Sequence, residues 1–220
     1  MRNAVIALCA ALALFISPLT NRAHAQASAP DSILIIGEGM KGAEISIPRD
    51  TTTPIRVEGR DAAGKPVPID PAKVVWHATK NRSFRGRLEN GKVLVTALQD
   101  AFDVGSEPTA MLSAEYEGHT AAVVLCAVLN LEGKWRLEVT TDVINLDLKQ
   151  SGRWVKDDHG EKGTITGTKL ALRVTHEISV IGIPITLTLY PDVTLTSRTG
   201  GVGTVDVPNK TEHFKVTKTP

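Results

Sequence analysis

Trp135-Arg136-Leu137-Glu138-Val139-Thr140 and, a few residues on, Ile144-Asn145-Leu146-Asp147-Leu148-Lys149 are the stretches that decide the fold class. Apolar and polar side chains take strict turns in both. A period of two places one face of an extended strand in a core and the other in water. The same alternation returns at Leu170, Leu172 and Val174, and at Ile183, Ile185, Leu187 and Leu189. Shorter pairs follow at Val193/Leu195, Val205/Val207 and Phe214/Val216. Turn signals separate these runs: Gln150-Ser151-Gly152, Asp157-Asp158-His159-Gly160, Gly200-Gly201 and Pro208-Asn209. The reading is a small antiparallel up-and-down domain over residues 130–220. It closes as a β-barrel or folds over as a sandwich, because open sheet edges invite aggregation.

Working upstream, almost nothing from Ile33 onward reads as helix. Glycine and proline recur every several residues, and β-branched residues dominate the apolar set. The pattern predicts strands over residues 32–36, 43–47, 53–60, 73–79, 92–96, 110–116 and 119–129. Seven short strands in this length fit an immunoglobulin-like β-sandwich. Asn130-Leu131-Glu132-Gly133 then marks the boundary between two all-β domains, 33–129 and 130–220.

The first domain also carries a family resemblance, in a definite order of features. Ile55-Arg56-Val57-Glu58-Gly59-Arg60-Asp61-Ala62-Ala63-Gly64-Lys65-Pro66-Val67 is followed by Val74-Val75-Trp76, then by Asn90-Gly91-Lys92-Val93-Leu94-Val95-Thr96-Ala97. Leu112-Ser113-Ala114-Glu115-Tyr116-Glu117-Gly118-His119-Thr120-Ala121 leads into the last strand. Residues 33–129 thus resemble the bacterial immunoglobulin-like domains of invasin- and intimin-type surface proteins. The resemblance implies a core tryptophan at Trp76 and a role as spacer, stalk or adhesive module. It departs at residues 98–109, where that family has a short glycine turn, and at the charged residues 80–87. Gly133-Lys134-Trp135 is similar, over those few residues, to the opening of lipocalin- and avidin-type barrels.

The N-terminus reads as a cleavable signal peptide over residues 1–25. Arg2 precedes an apolar run from Ala4 to Ile16, Pro18 breaks it, and Ala23-His24-Ala25 is a small-x-small cleavage site. The run is shorter than the roughly 20 residues that span a bilayer. Residues 26–32 then form a tether. The expectation is an exported protein, periplasmic or extracellular, with no stable membrane insertion after cleavage. Of 25 basic residues Arg2 and Arg22 leave with the leader, so 23 face 24 acidic ones. Such a near-neutral chain exerts no global pull on nucleic acid. Cys9 leaves too, so Cys126 has no intramolecular disulfide partner. Within its apolar strand it reads as a small buried hydrophobe.

Chemistry-bearing motifs are sparse. There is no Gly-x-Ser-x-Gly elbow, no phosphate-cradling glycine loop and no H-E-x-x-H. The five histidines beyond the expected leader, His77, His119, His159, His176 and His213, show no zinc-ligand spacing. Asp157-Asp158-His159-Gly160-Glu161 is ligand-rich, but it lacks the alternate carboxylates of a calcium loop and reads as a solvated hairpin turn. No metal or other cofactor, and no enzymatic activity, is therefore expected.

Two binding candidates stand out. Residues 80–87 place Arg82, Phe84, Arg85 and Arg87 in one predicted loop, where guanidinium forks suit anionic groups and the ring suits stacking. Trp135 and Trp154 lie near neighbouring strand ends and, with Arg136 and Arg153, are placed to line a barrel mouth. The reading is a non-enzymatic binding or structural module with an envelope or extracellular protein or glycan as partner. The alternative is a small-ligand carrier using the barrel interior.

Overall fold

The computed structural model describes residues 29–139, 142–157, 160, 162–180, 183–207 and 210–220. The expected signal peptide lies outside these residues. The chain is all-β. Strands β1 (Ser32–Gly37), β2 (Met40–Lys41), β3 (Glu44–Pro48), β4 (Thr52–Arg60), β5 (Pro66–Val67), β6 (Val75–Ala78), β7 (Phe84–Glu89), β8 (Lys92–Ala97), β9 (Thr109–Tyr116) and β10 (His119–Val128) make two sheets. One runs β1-β4-β8-β7, with β5 added on β4. The other runs β2-β3-β10-β9-β6. Four strands thus face a sheet whose β6, β9 and β10 hold the C-F-G positions of an immunoglobulin sandwich. β3 pairs in parallel with β10, which follows from the chain crossing between sheets after β1. Alternate residues of the strands turn inward, and Ile35, Ile45, Ile47 and Ile55 are fully buried between the sheets. Trp76 packs against this core from a half-buried position.

Residues 80–87, expected as one charged loop, are a turn followed by the edge strand β7, and this is a correction. β7 is in full register with β8, from Phe84↔Ala97 to Glu89↔Lys92. Its residues beyond Phe84 are all exposed, Leu88 included. Backbone pairing alone makes the strand, so no buried alternation announces it. A short helix α1 (Ala101–Val104) occupies the segment that departs from the family pattern.

The second domain is built from β11 (Gly133–Val139), β12 (Asp142–Ser151), β13 (Trp154–Lys156), β14 (Lys162–Thr166), β15 (Lys169–Val180), β16 (Ile183–Leu189), β17 (Asp192–Ser197), β18 (Gly200–Val207) and β19 (Lys210–Lys218). Each strand pairs antiparallel with the next in sequence, except that β16 and β17 both pair with β15, and β11 with β19 closes the ring. The result is an eight-stranded antiparallel barrel. The register between β15 and the chain that returns runs in step from Val174↔Leu189 to Ala171↔Asp192. So β16 and β17 are one long strand interrupted at Tyr190-Pro191, and the β15–β16 end of that hairpin extends past the ring.

Inward-facing Trp135, Leu146, Leu172, Phe214 and Val216 belong to one buried cluster that fills the barrel. Gly203 is required there: a Cβ on it would lie 2.3 Å from Cζ of Phe214, its cross-strand partner. The same cluster includes Cys126, Val128, Leu129 and Leu131. The last strand of the sandwich and the linker therefore plug one end of the barrel. Gln150 fixes that plug. Its Nε2 donates to the Leu129 carbonyl at 2.8 Å, and its Oε1 accepts from the Leu131 N–H at 2.6 Å.

Candidate functional site

Polar chemistry concentrates at the junction between sandwich and barrel, and the segment 98–109 supplies much of it. Asp100 caps α1 in a reciprocal capping box with Asp103, and Gly105 ends it in the left-handed conformation, φ 78°. This short turn presents two acids to the barrel, Asp100 fully buried and Asp103 partly exposed. Arg198 of the barrel donates to Asp100 Oδ2 at 3.0 Å and to Asp103 Oδ1 at 2.6 Å, and Arg49 adds longer ion pairs to both. Phe102 packs against the barrel cluster, and the Arg198 guanidinium lies 5.8 Å from its ring centre.

A second clamp centres on Arg153. Its Nη1 and Nη2 donate to the two carboxylate oxygens of Glu107 at 2.6 and 2.7 Å, and its Nε donates to Glu44 at 2.8 Å. Glu107 also accepts from the Gly167 N–H at 2.6 Å. Burial pushes the Glu107 carboxyl up, but Arg153 and Gly167 more than offset that and hold it below the usual carboxylate range. Glu44 and Asp103 are lowered by the same balance, burial opposed by arginine and hydrogen bonds. Arg153 Nη2 also donates to Cys126 Sγ at 3.1 Å. Burial, then Glu107, pushes that thiol up to about 12, so it stays protonated and unreactive at neutral pH. Beside the clamps, Gly39 and Gly152 meet backbone to backbone. A Cβ on Gly152 would lie 2.7 Å from Gly39 Cα, and both have positive φ. The arginine–carboxylate pairs of the two clamps centred on Arg153 and Arg198 join residues 46 to 109 positions apart.

The residues singled out from sequence fall in different places. Arg82, Arg85 and Arg87 are exposed, with Arg87 paired to Glu89 at 3.0 Å. Phe84 is half-buried against the sandwich core, so its ring is not free to stack on a partner. Trp135 does not reach a mouth. It is 1% exposed, and its indole N–H donates to the Leu131 carbonyl at 2.7 Å. Arg153, placed at the mouth by sequence, is the centre of the junction clamp. Of the Asp157–Glu161 run, Asp157 is buried, while Asp158, His159 and Glu161 lie outside the described residues.

Trp154 is different: 47% exposed on the outer barrel wall. It borders a groove of about 480 Å³ between the β1–β2 turn and strands β12–β14, lined also by Lys149, Lys156, Lys162 and Glu38. Lys41, from the sandwich, places its ammonium 5.4 Å from the indole ring centre. No family model, curated protein or solved structure matches this chain. The site's chemistry is therefore the guide to function. The groove sets an exposed indole among lysines, an aromatic face beside cationic groups.

Alternation with Leu146 and Leu148, and with Leu172 and Val174, puts Lys149 and Arg173 on an outer face. Which cations stand side by side depends on strand register, and a single strand's pattern carries no information about that.

Proposed function

We propose that this chain is an exported, non-enzymatic binding module of the cell envelope or extracellular space. In this reading the immunoglobulin-like sandwich holds the barrel in a fixed pose, and the barrel presents its outer wall to an envelope or extracellular glycan or protein. The observation that carries the reading is the Trp154 groove, a solvent-open aromatic and cationic surface formed where two rigidly clamped domains meet. The leader-like N-terminus and the likeness of residues 33–129 to surface-protein modules support that location. The carrier alternative fares worse, because Trp135, Leu146, Leu172 and Phe214 occupy the space a ligand would need.

The test is binding of the mature chain to a panel of immobilised neutral and acidic polysaccharides, alongside Trp154→Ala. Removing a half-exposed ring leaves the fold intact and should weaken retention about tenfold or more on whichever glycan binds. Equal retention of both proteins, or none by either, removes the groove from consideration.

A further inference from the structure

The pairing of strands β12 to β15 brings four cations into one line. Lys149 stands opposite Lys156, Lys156 opposite Lys162, and Lys162 opposite Arg173. All four are exposed on the outer wall. The in-step register of the long hairpin then sets Tyr190, 66% exposed, across from Arg173. Adjacent strands are about 4.8 Å apart, so the row spans roughly 14 Å at right angles to the strands. Directly opposed like charges on a sheet repel. The other side of the same barrel avoids this: Lys134 stands opposite Asp147, and Glu138 opposite Lys215. Among the described residues no carboxylate forms an ion pair with Lys156, Lys162 or Arg173. Glu38 is the one acid lining the groove among those residues.

Resting on the binding reading above, we infer that this row recognises an extended acidic polysaccharide lying across the strands. Its anionic groups meet the cations in turn, and one sugar ring packs against Trp154. A row of charges at strand spacing suits a linear polyanion better than a single compact anion, which would engage one or two of the four. One exposed indole beside the row suits an occasional ring contact. A single-stranded nucleic acid calls instead for an aromatic under successive bases.

The experiment measures affinity of the mature chain for polygalacturonate, dextran sulfate, unmodified dextran and single-stranded DNA, over a range of salt. The variants are Lys156→Gln/Lys162→Gln, Trp154→Ala and, on the sandwich edge, Arg85→Gln/Arg87→Gln. Wild type is expected to bind an acidic polysaccharide, carboxylated or sulfated, and not dextran. The barrel double variant should lose about tenfold or more with a shallower salt dependence, and the sandwich pair should leave binding unchanged. Preference between the two acidic polymers identifies the anionic group. The melting temperature of the barrel variant should rise as repulsion is relieved; a fall would mark the row as structural and overturn the inference. So would unchanged affinity, tighter binding to DNA than to either acidic polysaccharide, or loss through the sandwich pair instead. Loss of glycan binding in Trp154→Ala with none in the lysine variant would sink the polyanion row and leave the groove reading standing.

Discussion

Cations serve opposite ends in two neighbouring regions of this molecule. At the junction every arginine meets carboxylates: Arg153 holds Glu107 and Glu44, and Arg198 holds Asp100 and Asp103. On the outer wall of β12–β15, cation stands opposite cation. The junction charges are partly withdrawn from water, where an unmatched charge is expensive, so each is matched within the chain. The wall charges remain hydrated, where repulsion is screened and tolerable. Matched charge at the junction makes one body of two domains. On the wall, Lys156, Lys162 and Arg173 form no ion pair with a carboxylate of the described residues and are available to something outside.

The largest expected effect tests the matched region. Arg153→Ala leaves the partly buried Glu107 carboxylate with the Gly167 N–H but without its cation. It should cost about 2–3 kcal/mol, below the range for a fully buried pair because the clamp is partly hydrated. Chemical denaturation measures the loss, and an uncoupling of sandwich from barrel into two transitions would accompany it. A loss under about 0.5 kcal/mol would make the clamp ornamental.

Gly152→Ala comes next, at about 1–2 kcal/mol, because a side chain there must adopt positive φ and collide with Gly39. Thermal melting of this variant beside Gly160→Ala, a positive-φ glycine with open space around it, separates the collision from the strain. Equal losses in the two would deny any role to the glycine contact.

A smaller and reversible effect comes from acid. Glu107, Glu44 and Asp103 have folded values below their ordinary ones of 4.5, 4.5 and 3.8. Their stabilisation is fully present above those ordinary values and is lost as pH falls through the lowered folded ones. Stability should be level on this account from pH 7 to pH 5 and fall below about pH 4.5. Interdomain distance from paired spin labels, followed from pH 7 to pH 3, should broaden over the same range. A distribution unchanged at pH 3 would separate the junction from these carboxylates.

The smallest effect has the opposite sign and belongs to the wall. Lys162→Gln removes one charge from between Lys156 and Arg173, and should stabilise by a few tenths of a kcal/mol. High salt should erase that gain. A destabilised Lys162→Gln would collapse the contrast between the two regions.

How much of this was legible in the sequence differs between parts. Most barrel strands were, because a buried face repeats Leu, Val or Ile at every second position; β13 and β14 were not, since each offers a single buried apolar residue, Val155 and Ile165. Strand β7 was not, because an edge strand exposed on both faces needs no apolar alternation, and Arg85-Gly86-Arg87-Leu88-Glu89 has none. Trp135 and Trp154 look alike in sequence as single aromatics near strand ends. One plugs the barrel and the other stands on its wall, since β11 and β13 present them to opposite sides.

By itself the sequence determined the all-β class and which side chains of most strands face water, because a period of two is a local property of an extended chain. Only the tertiary structure decided that Arg153 locks Glu44 and Glu107, that Leu129 and Leu131 plug the barrel, and that Lys149, Lys156, Lys162 and Arg173 stand in line. Those facts depend on strand register and on ring closure. Both are set by how distant faces pack together, and they are absent from any single strand.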